Sequence, residues 1–272
     1  MGVPAACAAL ALTLAAGGAC TTVDDAAEAP PWRLIWADEF DGPAGAPPDP
    51  TSWSFELGGD GWGNQELQSY TDRPENAALD GAGALVLTAR REALGGRGYT
   101  SARITTRGKR EQAYGRFEAR LALPAGKGLW PAFWMMGADR ASVGWPACGE
   151  IDVMELRGAQ PWRALGSAHG PGYSGGDALT ASFAAADHRS LADDFHVYAV
   201  EWEPGQLRFS VDGQEYETVL ASGLRGGVRW VFDHPFFLIL NVAVGGTFGG
   251  APDEGTLFPQ RLRADYVRVY AR

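Results

Sequence analysis

Apolar and polar residues alternate with a period of two along most of this chain. Leu85, Leu87 and Ala89 stand against Val86, Thr88 and Arg90. Over residues 113–123 the alternation is cleaner. Gly115, Phe117, Ala119, Leu121 and Leu123 fall on one parity, and Tyr114, Arg116, Glu118 and Arg120 on the other. Such a period marks a strand with one face in a core and one face wetter. The same reading predicts strands over residues 128–136, 164–169, 195–203, 206–218, 236–244 and 264–271. The run at 236–244 is almost wholly apolar and is interrupted by Asn241. Asp212-Gly213, set between Leu207-Arg208-Phe209-Ser210-Val211 and Gln214-Glu215-Tyr216, is a hairpin turn. No stretch shows a long helical period, and no internal repeat stands out. Many short strands divided by turn residues predict an all-β chain folded as an antiparallel sandwich.

The most informative stretch is Gly149-Glu150-Ile151-Asp152-Val153-Met154-Glu155, three acids set among apolar residues. On a helix the acids would sit at roughly 0°, 200° and 140° and share no face. On a regular strand Glu150 and Asp152 share a face, while Glu155 points the other way. One extra residue near Val153-Met154, in a β-bulge, turns Glu155 back beside the other two. We therefore predict a bulge there and three acids lining one groove. Two carboxylates about 5–5.5 Å apart suit a retaining glycosidase, and a third between them pushes their pKa values apart. A Ca²⁺ site and a solvated acidic edge are the alternatives that spacing leaves open, although Ca²⁺ loops favour Gly and Asn over Ile, Val and Met.

The aromatic stretch Gly128-Leu129-Trp130-Pro131-Ala132-Phe133-Trp134-Met135-Met136 puts Trp130 and Trp134 on one parity. They are either sheet core or stacking platforms for a ring-shaped ligand, and Trp145 offers a third indole just before the acids. His169 closes a strand ahead of a Gly-rich loop, a position that favours a functional role over the usual structural one. His188, His196 and His234 have no such setting, and no His/Cys cluster suggests zinc. A net charge of −10 argues against nucleic acid or an anionic membrane as partner. The 37 glycines, 17 prolines and 10 tryptophans suit many turns and an aromatic-lined groove for a neutral polymer.

Trp145-Pro146-Ala147-Cys148-Gly149-Glu150-Ile151-Asp152-Val153-Met154-Glu155 resembles the signature of glycoside hydrolase family 16. The six-residue Glu-x-Asp-x-x-Glu form is similar to that of its laminarinase branch. Other stretches match in the same order: Leu34 to Gly42 resembles the opening strand, Gly61-Trp62-Gly63-Asn64 a sugar-contacting loop, and Tyr99 to Arg103 a groove-lining strand. The resemblance runs from about Trp36 to Tyr270. It implies a β-jelly roll with a concave substrate groove and a retaining endo-β-1,3-glucanase acting on laminarin-type glucans. Glu150 is then the nucleophile, Glu155 the acid/base, and Asp152 the residue that tunes Glu150. Asn64, Trp130, Trp134 and Trp145 are implied sugar contacts, and Arg103 either binds hydroxyls or orients a carboxylate. His169 resembles the family histidine beside the acid/base. No cofactor is implied for catalysis. A structural Ca²⁺ on the convex side is, through the backbone of Glu39 and Gly83 and the side chain of Asp265. No protein partner is implied, and a monomer is expected. Mixed-linkage β-1,3-1,4-glucanases, agarases, carrageenases and transglycosylases share the scaffold. A non-catalytic β-glucan-binding module is the rival of another class, but such relatives usually lack one catalytic Glu.

The first residues read as export machinery. Residues 5–16 are an apolar run too short to span a bilayer, followed by Gly17-Gly18-Ala19 and Cys20. This resembles a bacterial lipoprotein box with Gly17 where Leu is usual. We expect a signal peptide over 1–19, a polar tether over 20–31 and the catalytic domain over 32–272, on a protein secreted from a bacterial cell or lipid-anchored outside it. Of three cysteines, Cys7 and Cys20 fall in this segment. Cys148 is left as a packing residue, and no disulfide is expected.

Overall fold

The computed structural model describes Met1, Gly2 and residues 31–272. The expected leader beyond Gly2, and the tether up to residue 30, lie outside the described residues. Pro31–Arg272 forms one compact unit.

Two eight-stranded sheets make up this unit. The first, called here the groove sheet, runs Leu179–Ala184, Arg163–His169, Glu150–Leu156, Leu129–Gly137, Phe236–Val244, Arg103–Thr105 and Ser54–Phe55, with Glu111–Gln112 also paired to Phe236–Val244. The second, the outer sheet, runs Gln214–Leu220, Gln206–Val211, His196–Glu203, Gly115–Ala122, Gln260–Ala271, Leu85–Ala89 and Ala77–Leu79, with Arg33–Asp38 also on Gln260–Ala271. Every pairing in both sheets is antiparallel. The architecture is the expected jelly-roll sandwich. A small parallel pair, Gln68–Tyr70 with Tyr99–Ser101, joins the loops at one end.

Alternation decides which residues go inward. From the groove sheet Leu129, Phe133, Met135, Leu238, Leu240 and Val242 enter the core. From the outer sheet Phe117, Ala119, Leu121, Val200, Trp202, Phe209 and Leu262 meet them. Each large side chain buried this way contributes about 1.5–3 kcal/mol. Trp202 is fully buried and donates its indole N–H to Phe232 O at 3.1 Å, so its one polar atom is satisfied. The far face of the outer sheet alternates in charge instead, with Arg116 joined to Glu118 and Glu201, and Arg208 to Glu201 and Glu203. The hairpin at Asp212-Gly213 turns through two left-handed residues, φ 51° and 77°, as a type I′ turn requires. The strand expected to begin at 264 starts earlier, at Gln260, because its first residues pair with Leu85–Ala89.

Two close approaches of backbone fit the groove sheet together. Gly166 faces Phe209 and Tyr216 of the outer sheet, and any side chain there would strike both. Gly137 ends its strand against the chain that leads into the acidic stretch. Its N–H bonds Gly149 O at 3.2 Å, and a Cβ would land on the carbonyl oxygen of Cys148. Gly137→Ala is expected to cost about 1–3 kcal/mol through this overlap and to lower activity by displacing Gly149-Glu150. Urea denaturation and initial rates measured together check it, and an unchanged midpoint with full activity contradicts it.

Candidate active site

The acidic strand Glu150–Leu156 lies between Leu129–Gly137 and Arg163–His169. Its register with the first neighbour slips by one residue. Glu155 faces Ala132 and Met154 faces Phe133, yet Asp152 faces Trp134 and Glu150 faces Met136. Val153 is the extra residue, and it enters the core together with Ile151, Met154 and Leu156. The other neighbour shows the same slip, between Asp152↔Ser167 and Glu155↔Leu165. Two successive apolar side chains thus share the core side, and Glu155 returns to the face of Glu150 and Asp152. The expected bulge stands where the spacing required it.

The three acids line a cleft of about 700 Å³ on the groove sheet. Asn64, Arg103, Trp130, Trp134, Trp145 and His169 line the same cleft. Met136, which lines the cleft, forms with Cys148, Phe237 and Ile239 a small apolar cluster separate from the main core. Cys148 is buried, and burial pushes its thiol up to about 11, so it packs and does not react.

Electrostatics in this cleft favour protons on carboxyls. Burial is the leading cause for all three acids; the charge of Asp152 adds to it for Glu150 and Glu155, whereas Glu150 lowers Asp152. Glu150 is pushed up to about 8 by burial and then by Asp152, with His169 and the Trp145 indole pulling the other way. Asp152, 2% exposed, rises to about 7 for the same leading reason. Glu155 is raised well above the ordinary carboxylate range by burial and then by the charges of Asp152 and Glu150. Asp152 stands between the two glutamates, and its charge raises both of them.

His169 stands opposite Glu150 in the strand register. Its Nδ1 accepts the Gly175 N–H at 3.1 Å, which leaves the neutral ring with its proton on Nε2. Nε2 sits 2.8 Å from Asp152 Oδ2, off the line of a good hydrogen bond, and that oxygen has no other partner. The contact of His169 is therefore with Asp152, on the Glu150 side, and not with Glu155 as the resemblance implied. Glu150, Asp152 and His169 do present ligand-type atoms within 4.8 Å of one another. The nitrogen facing the acids carries a proton, however, where a metal needs a lone pair.

The tryptophans divide by role. Trp145 is 46% exposed, with its ring 6.2 Å from that of His169, and offers an open face to the cleft. Trp130 differs from the expected platform. Phe248 covers its ring at 4.9 Å, and its N–H is committed to Glu155 Oε1 at 2.8 Å. Trp134 donates to Asn241 Oδ1 at 2.8 Å, and Arg103 lies 4.8 Å over its ring. Arg103 also lies 4.6 Å over Trp62, and its Nε meets Glu56 Oε2 at 2.5 Å. Of the two readings of Arg103, the carboxylate it orients is Glu56, which the sequence did not single out. Asn64 reaches Glu66 Oε1 at 3.4 Å.

Sequence reasoning also missed the support behind these residues. Glu66, 3% exposed, accepts from Gln68 at 2.6 Å and Tyr70 at 3.2 Å. Tyr70 accepts from Asn241 Nδ2 at 3.0 Å, which continues the chain to Trp134. Burial raises Glu66 above its ordinary pKa despite three donors. The available signals were Asn241 inside an apolar strand and the amide-rich run from Asn64 to Gln68.

A family model, Glycosyl hydrolases family 16, matches residues 64–267. A beta-glucanase of Rhodothermus marinus is 46% identical over 258 residues, covering 91% of this chain and 88% of that one. A glucan endo-1,3-beta-glucosidase of Cryptopygus antarcticus is 42% identical and covers 81% and 84%. Among solved structures, the laminarinase catalytic domain of Thermotoga maritima superposes with a TM-score of 0.84 at 47% identity, over 89% of this chain and 98% of that one. The bulged acidic strand and the cleft around it agree with these likenesses, and the chain belongs to glycosyl hydrolase family 16.

Proposed function

We propose that this protein is a retaining endo-β-1,3-glucanase acting on laminarin-type glucans. One observation carries the reading: the bulge at Val153 brings Glu150 and Glu155 to one cleft face with Asp152 between them. Laminarinases and endo-1,3-β-glucosidases among the relatives support the β-1,3 linkage over a mixed-linkage or galactan substrate. Export to the outside of a bacterial cell, by secretion or by a lipid on Cys20, is part of the same proposal and rests on the leader sequence alone.

The chemistry divides the two glutamates by protonation state. Glu150 attacks the anomeric carbon as a carboxylate. Glu155 still holds its proton and gives it to the departing glycosidic oxygen as that bond breaks. A glycosyl-enzyme ester on Glu150 results. Glu155, now ionised, takes a proton from water, whose oxygen attacks the same carbon and releases Glu150. Two inversions leave the β configuration. Asp152 holds Glu150 and keeps negative charge near Glu155. His169 holds Asp152, and Trp145 offers a face on which a glucosyl ring can stack.

Glu150→Gln and Glu155→Gln are each expected to lower laminarin hydrolysis by at least about 10³-fold. Neither should lower the melting temperature. Both acids are raised above their unfolded values, so ionising them in the folded state costs stability above the unfolded pKa, and an amide removes that cost. Proton NMR of first-formed wild-type product should show the β anomer. An α anomer, or near wild-type turnover in either variant, rejects the assignment.

Asp152→Asn tests the electrostatics. The charge of Asp152 raises Glu155, so its removal lowers the pKa of Glu155. Hydrolysis needs Glu155 protonated, and the alkaline limb of kcat/KM should therefore move to lower pH. A limb that stays put or moves upward contradicts the coupling.

The structural Ca²⁺ is a second proposal. Asp38↔Val267 and Ala264↔Leu85 pairings bring Glu39, Gly83 and Asp265 toward one stretch of Gln260–Ala271. Backbone carbonyls and one carboxylate are the hard donors Ca²⁺ takes. Arg120 holds Asp265 Oδ2 at 2.8 Å and Arg268 holds the Glu39 carboxylate, which weakens the local negative field. EDTA is expected to lower the melting temperature by a few degrees, reversed by added Ca²⁺. An unchanged melting curve removes the ion from the account.

A further inference from the structure

Three side chains follow one another in contact beside the acid/base. Arg157 Cζ lies 4.2 Å over the Phe248 ring, Phe248 lies 4.9 Å from the Trp130 ring at 36°, and the Trp130 N–H reaches Glu155 Oε1 at 2.8 Å. Phe248 sits in the short turn Gly246–Gly249, flanked by left-handed glycines at 245, 246 and 250. The turn lies against the indole: Cβ atoms built on Gly249 and Gly246 would stand in ordinary contact, at 3.4 Å, with Trp130 Cβ and Trp130 Cζ3. The turn is tied down at both sides, through Gly245 N to Gly128 O at 2.7 Å and Thr247 N to Asn64 O at 2.8 Å.

We propose that Phe248 is a positioning residue for the acid/base: by covering the Trp130 ring it holds the indole N–H on Glu155, and Arg157 clamps it from the solvent side. The inference rests on the reading of Glu155 as acid/base. The Trp130 indole stands at the cleft wall with its N–H on Glu155. A ring on one face and a guanidinium behind that ring restrict it. Phe248 acts through Trp130 and does not need to touch the reacting atoms.

This role makes two separable demands. The Trp130 N–H favours the ionised form of Glu155, so freeing the indole lets Glu155 keep its proton to higher pH. The alkaline limb of kcat/KM then moves upward, opposite to the direction for Asp152→Asn. A misplaced acid also matters only when the leaving group needs a proton. Phe248→Ala should lower kcat/KM about tenfold on a laminari-oligosaccharide and leave it within about twofold on a β-laminaribioside of 2,4-dinitrophenol, whose phenolate leaves unaided. Phe248→Trp, which keeps a ring, should restore the sugar substrate. Trp130→Phe should shift the limb the same way, and Phe248→Ala added to it should change little more.

Equal losses on both substrates, an unmoved alkaline limb, or full additivity with Trp130→Phe would overturn the role of Phe248. Glu155→Gln run beside these variants separates the two claims. If it spares the dinitrophenyl substrate and abolishes the sugar one, the acid/base reading stands whatever Phe248 does. If it hydrolyses the sugar substrate normally, the reading and the inference fall together.

Discussion

A single surplus residue in one strand governs this structure. Strand geometry sends successive side chains to opposite faces, so Glu150 and Glu155, five positions apart, would lie on opposite sides of the sheet. Val153 removes the conflict by joining Met154 on the core side. The core stabilises this slip, because Met154, which a regular strand would turn to the cleft beside Glu150 and Asp152, is enclosed with Val153 instead. The same interaction that packs the sandwich therefore assembles the acids.

Three carboxyls buried in one cleft are unfavourable as ions: burial first, and the charge of Asp152 second, raise both glutamates. The two glutamates differ in their partners: Glu150 has His169 and the Trp145 indole beside it, and Glu155 has the Trp130 N–H. A nucleophile and an acid are thus separated by environment, although their side chains are chemically identical.

The surroundings of the acids are held from behind. Glu66, Tyr70 and Asn241 form a buried polar chain that ends on the Trp134 indole. Arg103 is caught between Trp62 and Trp134 and tied to Glu56. Such networks resist rearrangement because breaking any one link strands a buried polar group. They explain why Asn241 interrupts an otherwise apolar strand: its amide joins two aromatic side chains that apolar residues could not orient.

Alternation alone determined the class of fold, most strand positions, the core parity of Phe117, Leu121 and Phe133, and the need for a bulge between Asp152 and Glu155. These are local consequences of period two, so one sequence suffices to read them. The tertiary structure decided which partner each cleft residue took. Trp130 and Trp134 share a face as their parity required, yet one serves Glu155 and the other Asn241. His169 meets Asp152 and not Glu155, because its strand pairs with residue 150 across the sheet. Glu56 and Phe248 come from segments far along the chain with no local pattern to mark them, and the amide-rich run around Glu66 does not show what that acid holds. Period fixes which way a side chain points, whereas its neighbours depend on how distant strands are brought together.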